Sequence, residues 1–222
     1  MTKKVICIGG KGDPVSIGKA IIDTNLRGNF DFEFYGLLND VIDKGTLVDG
    51  APVLGKLNEA RSFVNEGHYF INALLRIDGN IFRIKLFESL GIPDESMATF
   101  IHPTAYVAPG VELGPGCVVM PNACIGQETK FGKGCIILQG ATVGHNCVFG
   151  DYCHISAQAC LAGYLEVGQG VHFGLNSSIK ENLTIGDYST VGMGSVLLKN
   201  IGDREIWAGV PAKFIRNAID QC

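Results

Sequence analysis

No stretch of the 222 residues stays apolar for the length of a membrane span, and the eight cysteines include no Cys-x-x-Cys pair. The first absence leaves no candidate for a spanning helix. The second removes the commonest zinc and redox signatures. Charge of one sign is also scarce. The formal net charge is −4 with no clustered basic surface, so nothing argues for nucleic acid as a partner. Residues 1–10, MTKKVICIGG, hold only a short apolar run before two glycines, which suits a first strand better than a signal peptide. The expectation is a soluble, cytoplasmic protein. Its 46% apolar residues suffice for a packed core, with room for one large domain or two modest ones.

What is present is a repeat. Between residues 101 and 197 an aliphatic residue or Phe returns at every sixth position, as in Val119, Ile125, Phe131, Ile137, Val143 and Phe149. A small residue often stands two places ahead, as Cys117, Ala123, Thr129 and Cys135 do, and Gly often follows. Neither the 3.6-residue helix nor the two-residue strand has a period of six. One short strand plus a turn does, and three such units close a triangular coil, which makes the region a hexapeptide-repeat parallel β-helix. Residue n then lies over residue n+18, and residues 111–200 supply five coils without an inserted loop. Cys117, Cys135 and Cys153 fall on successive coils at the small inward position, as buried hydrophobes of a reducing compartment.

Residues 1–98 lack this period. Strands over Lys3–Ile8, Phe32–Leu38 and 68–74, with helices over 15–26 and 80–90, predict a small parallel sheet flanked by helices. Residues between Asp43 and Gly67 give no clear pattern. The fold class expected is mostly β: a parallel β-helix over 99–201, a small α/β domain over 1–98, and a C-terminal cap over 202–222, with 214–219 as a strand or short helix.

Five histidines offer chemistry. His68 and His102 read as structural. His145 falls on a corner of the triangle, two residues beyond inward Val143. His154 precedes inward Ile155 and projects from the flat side opposite that corner, roughly 10 Å or more away. The two imidazoles can share a site only between subunits, so a homotrimer with intersubunit sites is expected. Gly163 stands one coil above His145, where a bare amide leaves space for a substrate and a donor for an oxyanion, and Asn146 is placed to orient the ring. His154 and His172 stack one coil apart. In the first domain, Gly9-Gly10-Lys11-Gly12 lies between a strand and a helix, where backbone amides cradle phosphate, although Asp13 would repel one. Asn39 and Asp40 end the second strand and are placed to bond a base or ribose, or to form an ordinary turn.

The hexapeptide series, the entry IHPTA at 101–105, the run ATVGHNCVFGDYCH at 141–154 and the closing GVPAK at 209–213 resemble one family. It is the left-handed β-helix acyltransferases, and within them the bacterial nucleotide-sugar N-acetyltransferases of the bacillosamine, perosamine and sialic-acid O-acetylase group. The left-handed coil is implied by this likeness. So is acetyl-CoA-dependent acetylation of a nucleotide-linked amino sugar, of the UDP-linked 4-amino-4,6-dideoxy type, feeding a surface glycan, with no metal. By the same likeness His145 matches the general base, with Asn146 beside it where some members carry Glu. His154, Gly163, Leu175, Met193 and Lys213 match positions along coenzyme A, His154 at the acetyl end. Lys11, Gly12, Asp13, Asn39 and Asp40 match the part that holds the nucleotide sugar, although family members usually carry His where this chain has Asp13. The alternatives are sugar O-acetylation, a zinc lyase resembling the γ-type carbonic anhydrases, and a non-catalytic solenoid.

Overall fold

In a computed structural model, residues 2–28, 31–75 and 77–219 are described. The N-terminal part is a five-stranded sheet of order β3-β4-β2-β1-β5, built from β1 (Lys3–Ile8), β2 (Phe32–Leu38), β3 (Leu47–Val48), β4 (Ala51–Gly55) and β5 (Tyr69–Asn72). β1 pairs in parallel with β2 and β5, and β2 with β4, while β3 pairs antiparallel with β4. Helix α1 (Asp13–Leu26) starts two residues before the expected position because Pro14 fits its first turn, where no N–H is needed. The stretch left open holds the β3–β4 hairpin and α2 (Ala60–Asn65), and α3 (Asn80–Ser89) follows β5.

The remainder is the β-helix. Two-residue strands pair in parallel at a register of n to n+18, as Ile136–His154 and Cys124–Thr142 do. They form three faces. The first carries Phe100, Val118, Ile136, His154, His172 and Thr190 on its outer side, the second Cys124, Thr142 and Cys160, and the third Lys130, Val148 and Glu166. The hexapeptide residues fill the interior, and Ile125, Ile137, Ile155, Phe173 and Val191 are fully buried. Ile101 opens the series but is 43% exposed, since no coil lies below it. The column of small residues does more than fit. Cys117, Cys135 and Cys153 each donate the thiol hydrogen to a corner glycine carbonyl, those of Gly132, Gly150 and Gly168, at 3.1, 3.2 and 3.1 Å. The upper end is closed by strands Glu205–Ala208 and Lys213–Asn217, paired antiparallel, with Trp207 in the core cluster.

The two parts share a core. Val15, Ile17, Ala20 and Ile21 of α1 pack with Phe100, Val118, Met120, Ile136 and Leu138 of the first face. Asp13 and Asp23 of the helix contact His154 and His102, which lie three coils apart. Ten helical residues rise about 15 Å, and three coils at strand spacing span about 14 Å. The helix therefore runs along the solenoid axis. No described helix is long and apolar enough to cross a membrane.

Candidate active site

Two clusters of histidine and polar side chains stand out, and the fold keeps them on opposite sides of the prism. The first is the corner after the second face. Asn146 occupies a left-handed turn position (φ 55°), which Asn tolerates better than most residues. There its Oδ1 accepts from His145 Nδ1 at 2.9 Å. A carboxamide oxygen only accepts, so the proton is fixed on Nδ1 and Nε2 keeps its lone pair. The ring of Tyr164 meets that of His145 edge-on at 5.0 Å between centroids. A Cβ added at Gly163 would lie 3.1 Å from His145 Cε1 and 3.2 Å from Nε2. The bare glycine therefore leaves space on the imidazole face that a side chain would fill.

The second cluster lies on the first face, beneath the N-terminal sheet. His154 leaves the solenoid core as expected, yet it is buried, because the start of α1 covers it. Its Nε2 donates to Asp13 Oδ2 at 3.0 Å, and its Nδ1 lies 3.4 Å from Ser156 Oγ. The His172 ring stacks on it at 5.1 Å with an interplanar angle of 5°, and His172 Nε2 is 3.4 Å from the same hydroxyl. The hydrogen bond from His154, then its charge and that of His172, hold the Asp13 carboxyl below the usual carboxylate range. Burial, reinforced by His154, pushes the His172 imidazole down to about 3. Its Nδ1 is buried with no partner among the described residues.

The remaining predicted residues spread around these clusters. Lys11 and Gly12 are exposed, and Gly12 precedes α1 with φ 86° and no side-chain cap, so the first amides of the helix have no capping side chain. Asn39 Oδ1 is occupied by the amides of Val41 and Ile42, and Asp40 Oδ1 by that of Leu57. Both side chains thus act as turn acceptors, and the Asn39 carboxamide packs over Gly10. Leu175 and Met193 are exposed at 48% and 74% on the corner after the first face, one above the other, and Lys213 is exposed in the final strand. Sequence reading placed His172 over His154. It missed Ser156 and Tyr164, as well as the contact of Asp13 with His154 across 141 positions, for which no periodic signal exists. Among the described residues no group of three or more His, Cys, Asp or Glu is placed to hold a metal ion.

The hexapeptide repeat of succinyl-transferase family matches residues 122–150 and 164–199. No curated protein matches the chain. Among solved structures, a mutant of perosamine N-acetyltransferase from Caulobacter crescentus, in complex with CoA and GDP-perosamine, is 29% identical. The match covers 98% of this chain and 99% of that one, with a TM-score of 0.80. The acetyltransferase domain of PglB from Neisseria gonorrhoeae is 27% identical over 96% and 100% of the two chains, with a TM-score of 0.81. WeeI from Acinetobacter baumannii, 22% identical over 96% and 100%, shares the fold with a TM-score of 0.77. These matches run through the N-terminal sheet as well as the solenoid, so the chain shares the whole fold of these proteins and, with its hexapeptide repeat, resembles the left-handed β-helix nucleotide-sugar acetyltransferases.

Proposed function

We propose that the protein transfers the acetyl group of acetyl-CoA to the amine of a nucleotide-linked amino sugar. The observation that carries this reading is the end-to-end match, at 29% identity, with an enzyme whose complex holds CoA and GDP-perosamine. The division of labour follows the chain: residues 1–98 hold the nucleotide sugar, 99–201 carry out acyl transfer, and 202–222 form the cap. A 4-amino-4,6-dideoxy sugar is the expected acceptor, linked to UDP or GDP, and the product feeds a surface glycan from the cytoplasm.

His145 is the general base in this reading. Its Nε2, bare of hydrogen because Asn146 fixes the other tautomer, takes a proton from the amine as nitrogen attacks the thioester carbon. The C–N bond forms, the C–S bond breaks, and the imidazolium returns that proton to the departing sulfur. An acceptor that arrives as ammonium first loses one proton to solvent. In this reading the Gly163 amide donates to the developing oxyanion and the thioester takes the space beside the ring that a Cβ at Gly163 would fill. Gly163, Leu175, Met193 and Lys213 line the coenzyme path, whereas His154, expected at the acetyl end, is buried under α1 with both ring nitrogens engaged and backs Asp13 instead. Lys11, Gly12 and the first turn of α1 take the diphosphate, with Asn39 and Asp40 shaping the base pocket. Since His145 and His154 lie on opposite sides of one prism, the complete site needs a corner of one protomer against the first face of another. A homotrimer supplies this.

The test is thiol release from acetyl-CoA with a panel of UDP-, GDP- and dTDP-linked amino sugars. Release with at least one acceptor, lost in His145→Ala, is expected. Release with none, or undiminished release in His145→Ala, overturns the reading.

A further inference from the structure

The pairing of Asp13 with His154 has a chemical consequence for what can bind there. Both ring nitrogens of His154 are engaged inside the protein, by Asp13 at 3.0 Å and Ser156 at 3.4 Å, and its face is covered by His172. Its side chain is 5% exposed, against 35% for that of Asp13. The accessible polar group at this junction is therefore a carboxylate, which when ionised accepts hydrogen bonds and donates none. A carbonyl oxygen finds no donor on it. An amine or ammonium finds a complementary charge. His154 donates into the carboxylate from behind, so the carboxylate remains an anion that a cation can approach from its open side.

The neighbouring residues sort the ligand further. Lys11, two positions earlier, is exposed and positive at the strand-to-helix loop, where the first-turn amides of α1 have no capping side chain. A phosphate suits that end of the loop and is repelled at the Asp13 end. The loop thus presents an anion seat and a cation seat a few residues apart.

We propose that Asp13 is the specificity residue that receives the acceptor's amino group, so that the protein selects an amino sugar over the same nucleotide sugar bearing a hydroxyl. Resting as it does on the N-acetyltransferase reading, this assigns the choice of acceptor to a residue of the first domain. The His154, Ser156 and His172 side chains behind Asp13 hold it in place.

Binding of a UDP-linked 4-amino-4,6-dideoxy sugar and of GDP-perosamine, each against its 4-hydroxy counterpart, is measured by calorimetry on the wild-type protein, Asp13→Asn and Asp13→Ala. Wild type is expected to favour the amino ligand about tenfold or more, as a charge-assisted hydrogen bond supports. Both variants should bring that ratio close to one. A merely structural role would weaken amino and hydroxy ligands together. A ratio kept in either folded variant, or a wild type without preference, overturns the proposal. Failure of every nucleotide sugar to bind wild type instead overturns the underlying functional reading.

Discussion

Asp23 Oδ2 lies 3.0 Å from His102 Nε2, while the other nitrogen of that ring lies 2.9 Å from Thr104 Oγ1. His102 is 1% exposed and belongs to the first coil of the solenoid, whereas Asp23 belongs to α1. With the Asp13–His154 contact ten residues earlier, the helix is pinned to the first face at both ends, and the apolar seam between them is held in register. The loop of residues 9–12, which leads into α1, inherits its position from these two contacts.

Removing the lower pin should therefore loosen the whole first domain. In His102→Ala a buried ring is lost and a cavity is left against Phe100, whose ring lies 6.4 Å away. A loss of about 2 kcal/mol is expected, seen as a lowered unfolding midpoint in urea. Asp23→Asn should shift the midpoint in the same direction by less, because its carboxylate is exposed. An unchanged midpoint in His102→Ala would mean that the seam alone holds the helix.

The corner cluster makes a kinetic prediction. His145→Ala should lower turnover by about 10²- to 10⁴-fold, the usual contribution of a general base. Asn146→Ala leaves the ring free to turn and to exchange tautomers, so a smaller loss, about tenfold, is expected, with KM for acetyl-CoA unchanged. Both residues lie on the outside of the prism, so thermal unfolding of His145→Ala should match wild type, while Asn146→Ala should lose about 1 kcal/mol because alanine suits the left-handed turn position (φ 55°) less well. Equal losses of turnover in the two variants would mean that Asn146 does more than orient the ring.

Gly163 separates site from fold. Its φ lies outside the left-handed region, so alanine suits the backbone dihedrals there, but the new methyl would sit 3.0 Å from the His145 carbonyl oxygen and 3.1 Å from His145 Cε1, so the turn and the ring must each give by a few tenths of an ångström. Gly163→Ala should fold with a stability within about 1 kcal/mol of wild type and lose about tenfold or more in turnover as the imidazole is displaced. At Gly144 an added Cβ would meet backbone far more closely, 2.5 Å from the Gly163 amide nitrogen, and alanine there should damage the coil itself.

How much could be read from the chain follows from where each signal lives. The period of six fixed the faces, the register and the column of His145 below Gly163, because each is arithmetic on one repeat. It also placed His172 over His154. It said nothing of the burial of His154, which depends on a helix 141 residues earlier docking onto the first face. The roles of Asn39 and Asp40 were ambiguous for a local reason. Strand-end Asn and Asp serve equally as ligand contacts and as turn acceptors, and here their oxygens are spent on the amides of Val41, Ile42 and Leu57.

The thiols should divide sharply in reactivity. Cys124 and Cys160 lie exposed on the second face, whereas Cys135 is fully buried in the column of stacked cysteines, and burial holds its thiol well above the ordinary range. Alkylation followed by peptide mapping should label Cys124 and Cys160 within minutes and leave Cys117, Cys135 and Cys153 untouched until the protein unfolds. Labelling of Cys135 in the native protein would mean that the solenoid core opens.

Acid should act on the first face before it acts on the carboxylates. His172 is held near pKa 3, against about 6.5 for a histidine in an unfolded chain. Between those values the unfolded state binds a proton that the folded state refuses, so stability falls as pH drops from about 6.5 toward 3 and is level above that window. Asp13 behaves differently. Its lowered pKa contributes stability above about pH 4 that is lost only as pH falls further, through its folded value. The thermal midpoint of wild type should therefore decline between pH 6.5 and 5 more steeply than that of His172→Phe, which keeps a ring to stack on His154 without a titrating nitrogen. Parallel declines in the two proteins would mean that the His172 imidazole takes up its proton in the folded state.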